Sequence, residues 1–194
     1  WRTILAPGPM VSGCALLARG GAARRRLREA VRHGAVATYS LALVEGPAEA
    51  GRARGCATRS DGALEVEVLA EYFWESAAGH WCGEGGLARH YTLLALRASG
   101  SACGSERALL GVVWGRPALG DFEYGGASGA GGSGWFGGRP FFHAYAQAVD
   151  SAEAICPLPQ ELRRGLAALA GGRTAEEQLL LVALTTSGRV PRGG

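Results

Sequence analysis

Lysine and asparagine are both missing from this 194-residue chain, and isoleucine occurs only at Ile4 and Ile155. Without lysine there is no phosphate-binding loop of the GxxxxGK[ST] kind, and without asparagine there is no N-glycosylation sequon. All twenty basic residues are therefore arginine; with abundant alanine and glycine, this points to a GC-rich coding sequence rather than to any one site. No apolar run approaches the roughly 20 residues that a membrane-crossing helix needs, so no membrane span is expected. The five cysteines (Cys14, Cys56, Cys82, Cys103, Cys156) are widely spaced, and none forms a CxxC pair. With no secretory signal at the N-terminus, they read as reduced, mostly buried thiols of an intracellular protein. No repeat of solenoid or propeller period is present.

What is there suits one α+β or α/β domain. The clearest signal is Ala63 to Gly115. In LEVEVLAEYFWES the residues Leu64, Val66, Val68, Ala70, Tyr72 and Trp74 recur at period two, with Glu65, Glu67, Glu71 and Glu75 mostly between them, the pattern of a half-buried strand. Two further apolar runs, Tyr91 to Ala98 and Ala108 to Trp114, predict an antiparallel meander over 63–115 at the centre of a mostly antiparallel sheet.

Around this centre the chain divides into an irregular arm (1–13), a domain (14–186) and a mobile tail (187–194). A helix is predicted within Cys14 to His33, strongest from Ala22 and closed by Gly34, followed by a strand over Ala35 to Val44 and a loop over Glu45 to Gly62. Residues 115–138 form a glycine-dense loop carrying Phe122, Tyr124, Trp135 and Phe136, rings that can anchor to a neighbouring surface. Helices are predicted over Pro140 to Ala154 and Leu158 to Ala170, where Leu162, Leu166 and Leu169 share one face. A segment from Thr174 to Thr186, opened by a Thr-x-x-Glu box, is a further helix or a final strand.

The net charge of +3 hides an asymmetry. Residues 1–60 hold ten arginines against three acids, giving +7, and residues 61–194 hold ten against fourteen, giving −4. Arg24, Arg25, Arg26, Arg28 and Arg32 make one helix face basic, suited to RNA phosphates or to an acidic protein surface.

Reactive side chains are densest in GHWCGEGGLARH. There Cys82 with His80 or His90 has the composition of a thiol nucleophile and its base, and His80, Cys82, His90 and Cys103 together are a possible zinc set, though at an unfamiliar spacing. Neither a metal nor a cofactor is the preferred expectation. Over residues 91–126, YTLLALRASG, a turn, ALLGVVWGRP and the glycine-rich segment together resemble the paired central strands of GNAT acyltransferases and the loop that follows them. That resemblance implies an acyl-CoA enzyme, but the glycine run leads to Trp135-Phe136 where the family has a helix.

The preferred expectation is a non-enzymatic accessory subunit of a large assembly, such as a mitochondrial ribosome or a respiratory complex. It would contact protein subunits or RNA through Arg24, Arg25, Arg26, Arg28, Arg32, Trp135 and Phe136. A chain opening on Trp1 reads as processed or as a fragment, which suits the mitochondrial matrix. The alternatives are the GNAT-like acyltransferase and the Cys82 thiol hydrolase.

Overall fold

The computed structural model describes residues 1–54, 62–74, 89–125 and 139–169, so the segment from Thr174 to Thr186 and the tail lie outside the described residues. Its centre is β4 (Val36–Glu45), an apolar strand paired on both sides. On one side lies β7 (Arg89–Ser99), then β6 (Ala63–Trp74) and β5 (Gly51–Arg54), all antiparallel. On the other lies β8 (Phe142–Val149), antiparallel to β4, whose far edge takes both β2 (Ser12–Gly13), in parallel, and β9 (Ala152–Ile155). The sheet is therefore mixed and the class is α+β. A separate two-stranded ribbon joins β1 (Arg2–Leu5) to β3 (Leu16–Ala18). The arm expected to be irregular thus carries β1 and β2.

Both faces of the sheet are covered. On one face Leu41, Leu43, Leu93, Phe141 and Tyr145 meet Leu162, Leu166 and Leu169 of α3 (Gln160–Leu169). The helix forms because those leucines return at helical spacing, and burying each contributes about 2 kcal/mol. On the other face Ala42, Val44, Leu94, Leu96 and Phe142 lie beneath Leu110. α1 (Gly21–Arg32) has no buried residue and packs against β1 and β3.

The period-two pattern of β6 is real but does not keep to one face. Leu64, Val66 and Val68 belong to the cluster beneath Leu110, whereas Leu69, Ala70 and Tyr72 belong to the cluster under α3. A register shift between Val68 and Ala70 causes the exchange: Val68 pairs with Leu94 and Ala70 with Leu93, residues on opposite faces of β7. One extra residue in a strand turns every later side chain over.

Two predicted elements are corrected. Ala108 to Trp114 is not the third strand of a meander: Glu106–Ala108 opens a helix, α2, that widens over Leu109–Val113 into a π turn, with Trp114 N donating to Leu109 O at 3.0 Å. Alternation would have buried Val112 with Leu110, yet Val112 is 75% exposed while Leu110 is fully buried. Pro140 to Ala154 is not a helix but β8 and β9. Its alanines favour a helix in isolation, but β4 pairs with one edge of the segment and β2 and β9 with the other, Phe142 through Gln147 are buried, and tertiary pairing overrides propensity. Gly13 is required where β2 meets β8, because a Cβ there would lie 2.2 Å from the carbonyl oxygen of Ala144.

A polar cleft between the N-terminal arm and the second helix

On the Leu110 face of β4 the side chains read Thr38, Ser40, Ala42, Val44, so the polar half of an otherwise apolar row lies near the end where β7 turns into α2. The arm from Leu5 to Val11 passes over this polar half, and Gly104 to Ala108 closes the other side. The result is a cleft of about 110 Å³ with Thr38, Ser40, Phe142, Ala144 and Gln147 along its walls. Gln147 pairs with Thr38 across β4 and β8, which brings two buried polar side chains together.

Arg107 is the fixed point of the cleft. Its Nε donates to Asp121 Oδ2 at 2.8 Å and its Nη2 to Asp121 Oδ1 at 2.6 Å, a bidentate pair with the Asp121 side chain fully buried. Nη2 also lies 3.4 Å from Glu123 Oε2, and the guanidinium sits 5.3 Å from the ring centroid of Tyr124. Hydrogen bonding to Asp121 holds the guanidinium even more firmly protonated than usual. Nη1 points the other way, toward the arm: it is 3.5 Å from the carbonyl of Pro9, and a Cβ on Gly8 would stand 3.2 Å from it.

Glu106, beside it, is buried and accepts a hydrogen bond from Thr38 Oγ1. Burial pushes its carboxyl above the ordinary carboxylate range, although Thr38 and the backbone N–H groups of Gly104 and Glu106 favour the charged form. Ser40 Oγ is buried with no hydrogen-bond partner among the described residues. Of the carboxylates at the cleft, Glu123 is the exposed one.

The residues singled out in the sequence lie elsewhere. His80, Cys82, Trp135 and Phe136 fall outside the described residues. His90 is the second residue of β7, where its ring stacks on Phe73 at 4.4 Å and 13°. Cys103 follows the other end of the same strand, buried and held to the carbonyls of Val36 and Ala98, its thiol pushed up to about 11 by burial. At roughly 3.4 Å per residue the strand keeps these two about 30 Å apart, so they do not join one zinc site, and among the described residues no cluster of metal-ligating groups occurs. Arg25, Arg26, Arg28 and Arg32 are exposed on α1, and Arg24 is half-buried. The sequence reading missed Arg107, Asp121, Ser40 and Gln147. A signal was present in the two hydroxyl residues of an apolar strand and in a single arginine heading an apolar run.

No protein-family model and no curated protein matches the sequence. Several solved structures share the fold, among them two human proteins. The human protein RNA Pseudouridylate Synthase Domain Containing 1 aligns at 17% identity and a TM-score of 0.55 over 95% of this chain and 80% of that one. Human RNA Pseudouridylate Synthase Domain Containing 4 aligns at 15% identity and a TM-score of 0.52 over 77% and 68%. These neighbours, both named for an RNA pseudouridylate synthase domain, overturn the expected accessory subunit of a ribosome or respiratory complex. The GNAT-like alternative falls with it, because its second strand is α2. Among the described residues no helix is long and apolar enough to cross a membrane.

Proposed function

We propose that this chain binds RNA, holds one nucleotide in the Arg107 cleft, and acts there as an RNA-modifying enzyme that isomerises uridine to pseudouridine. The observation that carries the reading is the cleft itself: a polar recess built round a locked arginine, on a scaffold shared with two RNA pseudouridylate synthase domains. An enzyme that works on a base must take it out of the stack and into such a recess. The isomerisation breaks the bond from C1′ to N1, makes one from C1′ to C5, releases the C5 hydrogen to solvent as a proton and returns one proton to N1, so it consumes no cofactor.

The sugar-phosphate chain then needs a basic track outside the cleft. α1 supplies one in Arg24, Arg25, Arg26, Arg28 and Arg32; it packs against β1, the strand that leads into the arm over the cleft. Asp121 is buried against Arg107 and Glu106 is bonded to Thr38, whereas Glu123, though 3.4 Å from Arg107 Nη2, is 61% exposed and is the carboxylate with a face left to meet a substrate.

Two measurements test this. Fluorescence anisotropy with a uridine-containing RNA is expected to show binding that weakens with salt. Replacing Arg24, Arg25, Arg26 and Arg28 by Gln should flatten the slope of log K on log salt by about 0.7 for every phosphate no longer neutralised. Release of tritium from RNA labelled at uridine C5 reads the isomerisation, and Glu123→Gln is expected to abolish it. Binding without tritium release would overturn the enzymatic part, and absence of RNA binding would overturn the whole.

A further inference from the structure

Ser40 is 1% exposed, borders the cleft, and its hydroxyl has no partner among the described residues. A buried hydroxyl left unpaired costs about 1–3 kcal/mol, so among the described residues Ser40 is the group of the cleft that an arriving polar atom would satisfy. Gln147, also buried, borders the same cleft from β8. An amide offers a donor and an acceptor side by side, and a hydroxyl offers one of each.

Charge decides which group arrives. Arg107 is the only cation among the described residues lining the cleft, and Asp121 and Glu123 already offset it. Glu106, at the same wall, would repel an anion whenever ionised. A phosphate is therefore disfavoured on this floor. Volume sets a limit: about 110 Å³ is less than the roughly 150 Å³ of a cavity that holds benzene, so the cleft takes in the edge of one ring and has no room for two fused ones.

We infer that Ser40 and Gln147 form the floor that receives the hydrogen-bonding edge of a pyrimidine base, and that they set the preference for a base of one ring. The inference rests on the reading of the cleft as a nucleotide site and names the part of the nucleotide that goes inward. Phosphates stay outside, toward α1.

The test is a thermal-shift titration of the full chain with uridine, cytidine, adenosine and ribose 5-phosphate. Uridine and cytidine are expected to stabilise it, adenosine less, and ribose 5-phosphate not at all. Ser40→Ala should act with opposite signs on the two states. The free protein gains about 2–4 °C in Tm as an unpaired hydroxyl is removed, while affinity for uridine falls about fivefold with the loss of one neutral hydrogen bond. Gln147→Met should weaken uridine at least as much, and a merely structural serine would not uncouple stability from affinity.

Stabilisation by ribose 5-phosphate equal to that by uridine, no response to any nucleoside, or unchanged uridine affinity in both variants would each overturn the inference. Nucleoside binding with no RNA binding would sink the proposed function and leave the base floor standing. RNA binding that is indifferent to an abasic site would do the reverse.

Discussion

Arg107 Nε and Nη2 meet the two carboxylate oxygens of Asp121 at 2.8 and 2.6 Å, across a span that contains α2 and the π turn. The pair ties the wall of the cleft to the segment after it, and Asp121 has no solvent to fall back on. Removing one member strands the other's charge, which costs about 3–5 kcal/mol for a buried pair. Asp121→Asn is thus expected to lower stability by about 3 kcal/mol in urea unfolding. Arg107→Lys should be damaging too, because an ammonium keeps the charge but not the fork. Equal stability of Asp121→Asn and the native chain would show that the pair does not hold the cleft wall.

Glu106 gives a pH signature of defined sign. Burial raises its folded pKa above the ordinary 4.5 of the unfolded chain, so its contribution is fully present below that pH and is lost as pH rises through the folded value. Glu106→Gln keeps an acceptor for Thr38 and removes the buried charge. It is expected to raise Tm at pH 7 and to leave Tm near pH 4 little changed, as read by calorimetry at the two pH values. A lower Tm at pH 7 would mean that the carboxylate is better solvated by Thr38 and the backbone than its burial implies.

How much of this was legible depended on how local the cause was. β4, the two halves of β6, β7, α1 and α3 each carry their own period in consecutive residues, and a period is a property of the chain alone. β8 was misread because HAYAQAV is both alternating and alanine-rich, and what decides between strand and helix is the edge of β4, about a hundred residues away in sequence. The π turn hid behind Val112 and Val113, residues typical of strands, whose exposure follows from a helical turn widened by one residue. The cleft was least visible. Ser40 and Gln147 sit on different strands, and Arg107 becomes notable only once Asp121 closes on it. The reactive residues that did stand out, His90 and Cys103, were drawn together by composition and kept apart by the length of β7.

His143 titrates in the opposite sense to Glu106. The Cys156 carbonyl can only accept, so the His143 Nε2 at 2.9 Å carries the proton and Nδ1 accepts from the Ser12 hydroxyl at 2.8 Å. Burial holds its pKa below 6.5, and nearby Arg139 adds to the effect. The neutral ring's contribution is therefore fully present above pH 6.5 and is lost as pH falls through the folded value. Tm is expected to drop between pH 7 and pH 5, and His143→Gln should lose most of that slope at a lower overall stability. An unchanged slope in the variant would assign the acid sensitivity to other groups.

Gly13 tests the seam that joins the N-terminal arm to the sheet. Its φ of +136° lies where a side chain is strained, and a Cβ would stand 2.2 Å from Ala144 O and 2.7 Å from Ala144 Cβ. Neither contact is with the flexible end of a side chain, so relief requires β2 to move off β8, breaking the Cys14 N to Ala144 O bond of 2.8 Å and the Ser12 bond to His143. Gly13→Ala is expected to cost about 3 kcal/mol or more, well beyond an ordinary surface change. Because the strand it displaces is continuous with the arm from Leu5 to Val11, nucleoside binding should weaken in molecules that still fold. Gly34→Ala, where φ is also positive at +71° but a Cβ would meet open space, should lose a smaller amount of stability and no binding. Hydrogen exchange at Cys14 N separates the outcomes: faster exchange in Gly13→Ala alone is expected, and equal protection in both variants would mean that β2 is not the strand that positions the arm.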